Sequence, residues 1–179
     1  MTTATKTLWK IDPTHSEVQF KVKHLVISTV TGSFSSYDGK IEAVGDDFEN
    51  AEATFTADID SISTNNEDRD QHLKSDDFFN AEEYPQLKFE STNFEKVGES
   101  EYKVSGDLTI RDVTKQVELD VVHGGTVEDP YGQTKAGFEV SGIINRKEFG
   151  LSWSAVTEAG KVVVGDKIKL QLNVQFIEN

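Results

Sequence analysis

Strict alternation of apolar and polar residues is the feature of this sequence that most constrains its fold. Near the C-terminus, five apolar residues alternate with polar ones at every second position: Ile168, Leu170, Leu172, Val174 and Phe176. The same period of two recurs over residues 17–23 and 51–59 and again over 104–110, 117–121 and 136–144. A period of two with one apolar face is typical of a strand that is buried on one side. The sequence therefore predicts a mainly β protein.

A further strand is expected from Phe34 to Val44, broken near Tyr37, and another begins at Leu87, while Gly32 and the pair Gly124–Gly125 mark strand ends. Together these segments account for about eight strands joined by short turns, which favours an antiparallel barrel or sandwich. The strands are long, and each keeps one polar face. A closed barrel explains both properties, because it removes exposed edges and has a single interior. We therefore expect an all-β fold, an eight-stranded antiparallel β-barrel that forms a single domain over residues 8–179 after a flexible N-terminal arm over residues 1–7.

The predicted inward positions mix large aromatic residues with small ones. A barrel of about eight strands has an interior just wide enough to be filled by side chains or to hold one small ligand. Small inward residues such as Ala53, Ala57, Gly106 and Gly142 either leave volume for a ligand or fit around the phenylalanines of a packed core. Polar residues do not recur on the inward faces, so a ligand in this space should be mainly hydrocarbon.

One segment, TNNEDRDQHLKSDDFF, has the pattern of a helix instead of a strand. Thr64 and Glu67 form a capping-box pattern, and acidic residues fill the first turn, where the helix dipole favours them. The segment predicts a helix from Thr64 to about residue 77. Leu73 is its only large apolar residue before Phe78 and Phe79, so this helix gains little from packing alone. We expect it to lie across the opening of the barrel and to place its two phenylalanines in that opening.

Charge and composition exclude several classes of protein. The chain of 179 residues has a net charge of −14, which disfavours nucleic-acid binding and docking on an anionic membrane surface. The absence of cysteine excludes disulfides, thiolate metal sites and cysteine nucleophiles. Apolar runs fall short of the roughly 20 residues of a membrane span, and MTTATKTLWK lacks the apolar core of a secretory signal. We therefore expect a cytoplasmic protein without stable membrane insertion.

The sequence gives little support for catalysis. The four histidines do not pair at metal-ligand spacing, and the H-E-x-x-H, G-x-S-x-G, P-loop and G-x-G-x-x-G patterns are absent. We expect no enzymatic activity, no catalytic residue and no metal site, and we expect His15 to be a turn histidine hydrogen-bonded to backbone. Arg69 and His72 stand one helical turn apart, where they either pair with nearby acids or form a polar contact at the barrel mouth.

Five segments resemble the YceI-like family of polyisoprenoid-binding proteins. They are Asp12–Phe34, Ser61–Thr92, Gly106–Leu119, Ile144–Trp153 and Val164–Val174, and they follow the family order across almost the whole chain. The resemblance implies a lipocalin-like eight-stranded barrel with a helix near its mouth. It further implies that the barrel binds a long isoprenoid or a similar amphipathic lipid and performs no catalysis. Family members are often dimers, so a homodimer is a further expectation.

With this resemblance we expect the lipid to contact apolar residues of the barrel interior and its mouth. The expected ligand contacts are Phe20, Val22, Phe34, Phe55, Ala57, Ile59, Leu73, Phe78, Phe79, Phe89, Leu108, Ile110, Phe138, Ile144, Phe149, Trp153, Leu170 and Leu172. The candidates for contact with the lipid head group are Arg69, His72 and Arg146. A pyrophosphate head needs such cations, whereas a neutral quinone head needs only hydrogen-bond donors.

We expect no cofactor apart from a bound polyprenyl or quinone-type lipid. The alternative is a closed barrel with a dry core, which acts through its surface as a stress-related or interaction protein. The two hypotheses differ in the free volume inside the barrel.

Overall fold

The computed structural model describes residues 6–25, 27–44, 47–151 and 164–179. These residues contain eleven β-strands and one α-helix, α1 (Glu67–Lys74). The strands are β1 (Lys6–Ile11), β2 (Glu17–His24), β3 (Ser28–Phe34), β4 (Tyr37–Val44), β5 (Glu52–Asp58), β6 (Ile62–Ser63), β7 (Gln86–Lys96), β8 (Glu101–Ile110), β9 (Val113–Glu128), β10 (Thr134–Asn145) and β11 (Val164–Glu178). Within the described part, no helix is long and apolar enough to cross a membrane.

The strands form one closed antiparallel sheet. Along the ring, β1, β4, β5, β7, β8, β9, β10 and β11 pair in that order, and β11 pairs back with β1. β2 continues β1 beyond a short turn and pairs with both β11 and β3, while β6 extends β5 in the same way and pairs with β3. β3 likewise continues into β4 after a break of two residues. Each of these three pairs counts as one long strand, and the eight-stranded antiparallel barrel with one helix confirms the predicted fold.

The kink between β1 and β2 is set by Asp12. Its carboxylate accepts hydrogen bonds from the Thr14 N–H at 3.1 Å and from His15, whose Nδ1 lies 2.7 Å away. The prediction that His15 bonds to backbone is therefore wrong, because the nearby carboxylate is the stronger acceptor. The predicted arm also ends too late, since Lys6 and Thr7 already pair with β4. Residues 1–5 lie outside the described residues.

Two strand boundaries differ from those that the glycines indicate. Gly32 lies inside β3, where the ring of Phe20 covers it so closely that a Cβ would collide with the ring. β9 likewise continues through Gly124 and Gly125 to Glu128. In both strands the glycine does not end the strand, since pairing continues across it, with β2 at Gly32 and with β10 at Gly125. The break between β3 and β4 falls instead at Ser35 and Ser36, before the predicted break at Tyr37.

The helix is shorter than the sequence pattern predicts. Asn66 caps it by accepting a hydrogen bond from the Arg69 N–H at 3.0 Å. The predicted capping box is wrong because Thr64 is engaged elsewhere, with its hydroxyl donating to Asp70 Oδ1 at 2.6 Å. The helix ends at Lys74, since Ser75 adopts an extended conformation and its N–H bonds to the His72 carbonyl. Phe78 and Phe79 follow in a turn.

The end of the barrel opposite α1 is closed by aromatic side chains. Phe48, from the β4–β5 loop, is 2% exposed, and its ring lies 4.9 Å from Phe138, 5.1 Å from His123 and 5.6 Å from Trp9 between centroids. The Phe48 N–H donates to the Tyr102 hydroxyl at 3.3 Å. We call these five residues the floor cluster. Ring pairs at such distances and tilts stabilise beyond the area that they bury.

Candidate ligand-binding cavity

A cavity of about 230 Å³ lies inside the barrel between the floor cluster and α1. Its wall is made almost entirely of aliphatic and aromatic side chains from strands on every side of the ring. Gln19, Lys40 and Thr54 border it but alternate with inward residues, so their side chains point outward. Among the described lining residues, Arg146 differs from Lys40 because its charged side chain does reach the cavity wall.

The accessible surface of inward residues gives independent support for this internal space. Residues at inward register positions are normally fully buried in a barrel filled by side chains. Here Phe55, Phe89, Val140, Leu170 and Leu172 point inward yet retain part of their accessible surface, and all five line the cavity. Their exposed surface therefore faces the interior of the barrel.

The inward glycines do not create this volume, which corrects the argument from small residues. A Cβ on Gly106 would lie 2.6 Å from Cζ of Phe89, and a Cβ on Gly142 would lie 2.6 Å from Cδ2 of Leu119. Each glycine is thus covered by a large side chain from a neighbouring strand. The free space is therefore not the volume that these two glycines leave, although the small side chain of Ala53 does line the cavity.

The segment from residue 64 to residue 79, which we call the mouth segment, covers the open end of the cavity. Phe78 is 5% exposed and packs with residues that include Leu108, Ile144 and Leu151. Phe79 meets Phe34 edge-on, with 6.5 Å between ring centroids. Both phenylalanines line the cavity, as the sequence pattern predicts.

Arg111, in the turn between β8 and β9, holds the mouth segment against the barrel. One guanidinium nitrogen donates to the carbonyls of Asp76 and Phe78, both at 3.1 Å, and the other donates to the Asp76 carboxylate at 3.0 Å. Arg111 reaches these acceptors from a left-handed backbone conformation with a φ of 56°. No local pattern in the sequence indicates this role of Arg111, because the contact joins two segments that are far apart in the chain.

A second pocket of about 160 Å³, which we call the mouth pocket, lies beside the mouth segment. It shares Phe20, Val22, Leu73, Phe78 and Val164 with the wall of the main cavity, so the two spaces adjoin. Its remaining wall residues include Lys23, His24, Thr64, Arg69 and His72. The larger apolar space therefore opens towards a smaller one that has several polar groups.

Most of the expected ligand contacts line the main cavity. These are Phe20, Val22, Phe34, Phe55, Leu73, Phe78, Phe79, Phe89, Leu108, Ile110, Phe138, Ile144, Leu170 and Leu172. Ala57, Ile59 and Phe149 do not line it, because each is 1% exposed and enclosed by other core residues. Trp153 lies outside the described residues.

The three candidates for head-group contact do not form one cluster. Arg69 and His72 border the mouth pocket, where Arg69 donates to the carbonyl of Thr64 at 2.7 Å and His72 Nε2 lies 2.9 Å from Asp77 Oδ2. Arg146 is 2% exposed and donates to the carbonyls of Leu151, Val164 and Gly165. Its burial lowers the pKa of the guanidinium, an effect that Asp166 opposes. Arg146 thus holds two backbone segments together at the cavity wall.

Several wall residues are missing from the expected contacts, and Phe94 shows why. β7 contains a register shift between Ser91 and Asn93, so inward positions change from odd to even numbers along the strand. Phe89 and Phe94 therefore both face the cavity, although simple alternation places them on opposite faces. Ile11 was missed for a different reason, since the sequence pattern predicted no strand before residue 17.

Comparison with known proteins places this barrel in a family. The sequence matches the model of the YceI-like domain over residues 9–176. The chain belongs to the YceI-like family. A UPF0312 protein of Staphylococcus epidermidis is 37% identical over 171 residues, which cover 95% of this chain and 97% of that protein.

Two solved structures extend the comparison of this YceI-like chain to three dimensions. The YceI protein of Campylobacter jejuni is 34% identical, with a TM-score of 0.73 over 88% of this chain and 90% of that one. A polyisoprenoid binding domain from Saccharophagus degradans is 17% identical, with a TM-score of 0.66 over 99% of this chain and 100% of that one. At 17% identity, the comparison with the Saccharophagus degradans domain shows a similar fold alone.

Proposed function

We propose that this protein binds a long-chain isoprenoid or a similar amphipathic lipid inside the barrel and carries it without chemical turnover. The observation that carries the proposal is the cavity of about 230 Å³ inside the barrel, with an apolar wall. An apolar cavity of about 150 Å³ already accepts a guest of the size of benzene. The space is therefore large enough for a section of hydrocarbon chain, and the dry-core alternative fits it poorly.

The hydrophobic effect supplies the driving force for such binding. Each CH₂ group that moves from water into an apolar site contributes about 0.8 kcal/mol. An isoprenoid chain brings many such groups, and branched methyls suit a wall built from Phe55, Val140 and Leu172. The polyisoprenoid binding domain of Saccharophagus degradans has the same fold, which supports this class of ligand.

Binding without catalysis is supported by the chemistry of the wall. A nucleophilic site needs a nucleophile and a base within hydrogen-bonding distance of each other. The described wall is hydrocarbon apart from the Arg146 guanidinium, which is occupied by backbone carbonyls. Among the described residues, no three histidine, aspartate or glutamate side chains converge on a point that could hold a metal ion.

The head group is proposed to lie towards the mouth pocket. A polyprenyl phosphate and a quinone both satisfy this placement, because the pocket offers cations and hydrogen-bond donors around Arg69 and His72. We further propose a cytoplasmic location and a homodimer, and the dimer is testable by measuring the mass of the native protein in solution.

Organic extraction of the purified protein, followed by mass spectrometry, tests the function directly. We expect a co-purifying isoprenoid lipid, and we expect native mass spectrometry to show stoichiometric uptake of an added polyprenyl lipid. If only the ligand-free protein appeared, without uptake of any added polyprenyl lipid, the carrier function would be wrong and a surface-mediated role would replace it.

A further inference from the structure

Four lysines form a basic face on the outside of the barrel near its mouth. Lys21 of β2 lies directly opposite Lys169 of β11 across the strand pair. Lys23 and Lys167 lie next along the same faces of their strands, one step nearer to the mouth. All four alternate with inward residues, so their side chains point away from the cavity. We call these four residues the basic face.

Carboxylates do not neutralise the basic face within the described residues. Among the described residues, no aspartate or glutamate oxygen lies within 4.0 Å of any of the four lysine nitrogens, whereas Nζ of Lys103, for example, lies 3.1 Å from Glu118. The neighbouring strands add no acid at this level. Lys21 and Lys23 face Thr31 and Thr29 on β3, and Lys167 and Lys169 face Asn145 and Ile143 on β10.

Another pair of facing lysines shows that this arrangement is unusual for the chain. Lys10 of β1 faces Lys40 of β4, but Asp38 and Glu42 flank Lys40 on the same face of that strand. In the basic face, the residues that flank Lys21 and Lys169 on the same face of each strand are a glutamine and another lysine. Like charges directly opposite in a sheet are destabilising, so this cluster costs folding free energy in a chain whose net charge is −14.

Exposed apolar side chains border the basic face, one towards the mouth and one directly beside Lys169 on the neighbouring strand. Ile27, in the turn between β2 and β3, is 78% exposed, and Ile143 of β10 is 66% exposed. Lys23 of the basic face also forms part of the wall of the mouth pocket. Cations and exposed apolar groups therefore lie together on one side of the entrance through which a ligand would reach the cavity.

We propose that the basic face, with Ile27 beside it, docks the barrel on an anionic lipid bilayer so that the mouth faces the membrane. The proposal rests on the proposed function, because docking in this orientation serves the exchange of a lipid between bilayer and cavity. Lysines near an anionic surface each contribute about 1 kcal/mol. Four of them, aided by an apolar side chain at the interface, outweigh the repulsion of the mouth segment's own acids, among them Glu67, Asp68 and Asp70. Repulsion from acids that lie more than about 10 Å from the bilayer is screened by salt. The net charge of −14 by itself predicts that the protein does not bind an anionic bilayer.

Vesicle flotation of the full chain tests this docking. The protein should float with vesicles of phosphatidylcholine mixed with phosphatidylglycerol, should stay with the soluble fraction in phosphatidylcholine alone, and should dissociate when salt is added. Replacing Lys21, Lys23, Lys167 and Lys169 together by Gln should weaken partitioning by more than about tenfold, since each lysine accounts for roughly a fivefold change.

A matched variant controls for total charge. Replacing Lys6, Lys10, Lys88 and Lys103 by Gln removes the same number of positive charges from outer faces away from the basic face. This variant should bind anionic vesicles almost as well as the wild type, and both variants should keep any lipid that co-purifies. Ile27→Ser should weaken vesicle binding by a smaller factor than the change of the four lysines.

Three results would overturn the docking proposal. They are equal binding to neutral and anionic vesicles, equal loss of binding in the two lysine variants, and binding to duplex DNA or an acidic protein with none to vesicles. Docking that depends on the basic face, found in a protein that takes up no lipid, would instead leave the docking intact and refute the carrier function.

Discussion

The two ends of the barrel are built in different ways. At the floor, Phe48 lies among four aromatic rings and is almost without exposed surface. At the mouth, a polar helix with no fully buried residue covers the opening and contributes Leu73 to the cavity wall, and the turn after it inserts Phe78 and Phe79. The floor is held by packing, while the mouth segment is held by three apolar side chains and by the hydrogen bonds of Arg111.

This difference indicates which end opens. Segments with few buried apolar contacts unfold locally at a lower free energy than the core of a domain. The mouth segment has this character and the floor does not. A ligand should therefore enter and leave at the mouth, while the floor fixes the depth of the cavity. The predictions below test this contrast.

The largest effect is expected at the floor. Phe48→Ala removes a fully buried ring and should lower the free energy of unfolding by about 3–5 kcal/mol. Urea denaturation followed by circular dichroism measures this loss. Phe79→Ala at the mouth is the comparison. Because Phe79 is only partly buried, its replacement should lower the free energy of unfolding by clearly less. Equal losses at the two positions would refute the assignment of stability to the floor.

A second prediction concerns the cavity between the two ends. Val140 points into it and is partly accessible, so Val140→Trp should fill the space and abolish uptake of a polyprenyl lipid. Overpacking of this kind costs about 1–3 kcal/mol, which the barrel should survive. Val122→Trp is the matched control, since Val122 is 40% exposed on the outer face of β9. Unchanged uptake by folded Val140→Trp protein would place the binding site elsewhere.

The third prediction concerns the attachment of the mouth segment. Arg111→Gln loses charged hydrogen bonds, so the free energy of local opening of residues 64–79 should fall by about 1–2 kcal/mol. Amide exchange in those residues should become faster, with little change over β8 and β11. Bound lipid should slow exchange in the mouth segment of the wild type more than in either strand, because the lipid contacts Phe78 and Phe79.

Lys103→Gln is the control for the loss of a surface cation, since Lys103 makes its ion pair with Glu118 on the outer face. It should leave exchange in residues 64–79 unchanged. If lipid binding altered exchange equally in the mouth segment and the strands, residues 64–79 would not control access to the cavity.

The smallest effect is a pH dependence located at the floor. Burial between Phe48 and Phe138 lowers the pKa of His123, an effect that a hydrogen bond with the Gly125 backbone partly opposes. The unfolded chain then binds a proton more readily than the folded one. The neutral His123 ring therefore contributes to the free energy of unfolding in full above pH 6.5, the ordinary pKa of histidine. This contribution is lost as the pH falls from 6.5 through the lower pKa that His123 has in the folded protein.

His123→Phe keeps an aromatic ring at this position and removes the titration. Its unfolding free energy should therefore fall less than that of the wild type as the pH is lowered from 7.5 to 5, which parallel denaturation series at about those two values would measure. Identical slopes for the two proteins would show that His123 carries its proton equally well in both states.

Much of the architecture was predictable because strand alternation is a local property. Successive side chains of a strand point to opposite faces, so inward residues such as Leu170 and Leu172 could be assigned from the sequence. The polar helix and its two phenylalanines were also visible in the sequence. The helix cap was not, because Thr64 and Asn66 are both competent caps and only the position of Asp70 separates them.

The sequence by itself determined the class of fold, the apolar character of the interior and the family. The tertiary structure decided the features that depend on how distant segments align with one another. A bulge in β7 turned Phe94 inward, neighbouring side chains filled the space above Gly106 and Gly142, and β2 and β11 brought Lys21 opposite Lys169. A period of two is specified by each strand alone, whereas register is fixed by turns, bulges and packing across the whole barrel.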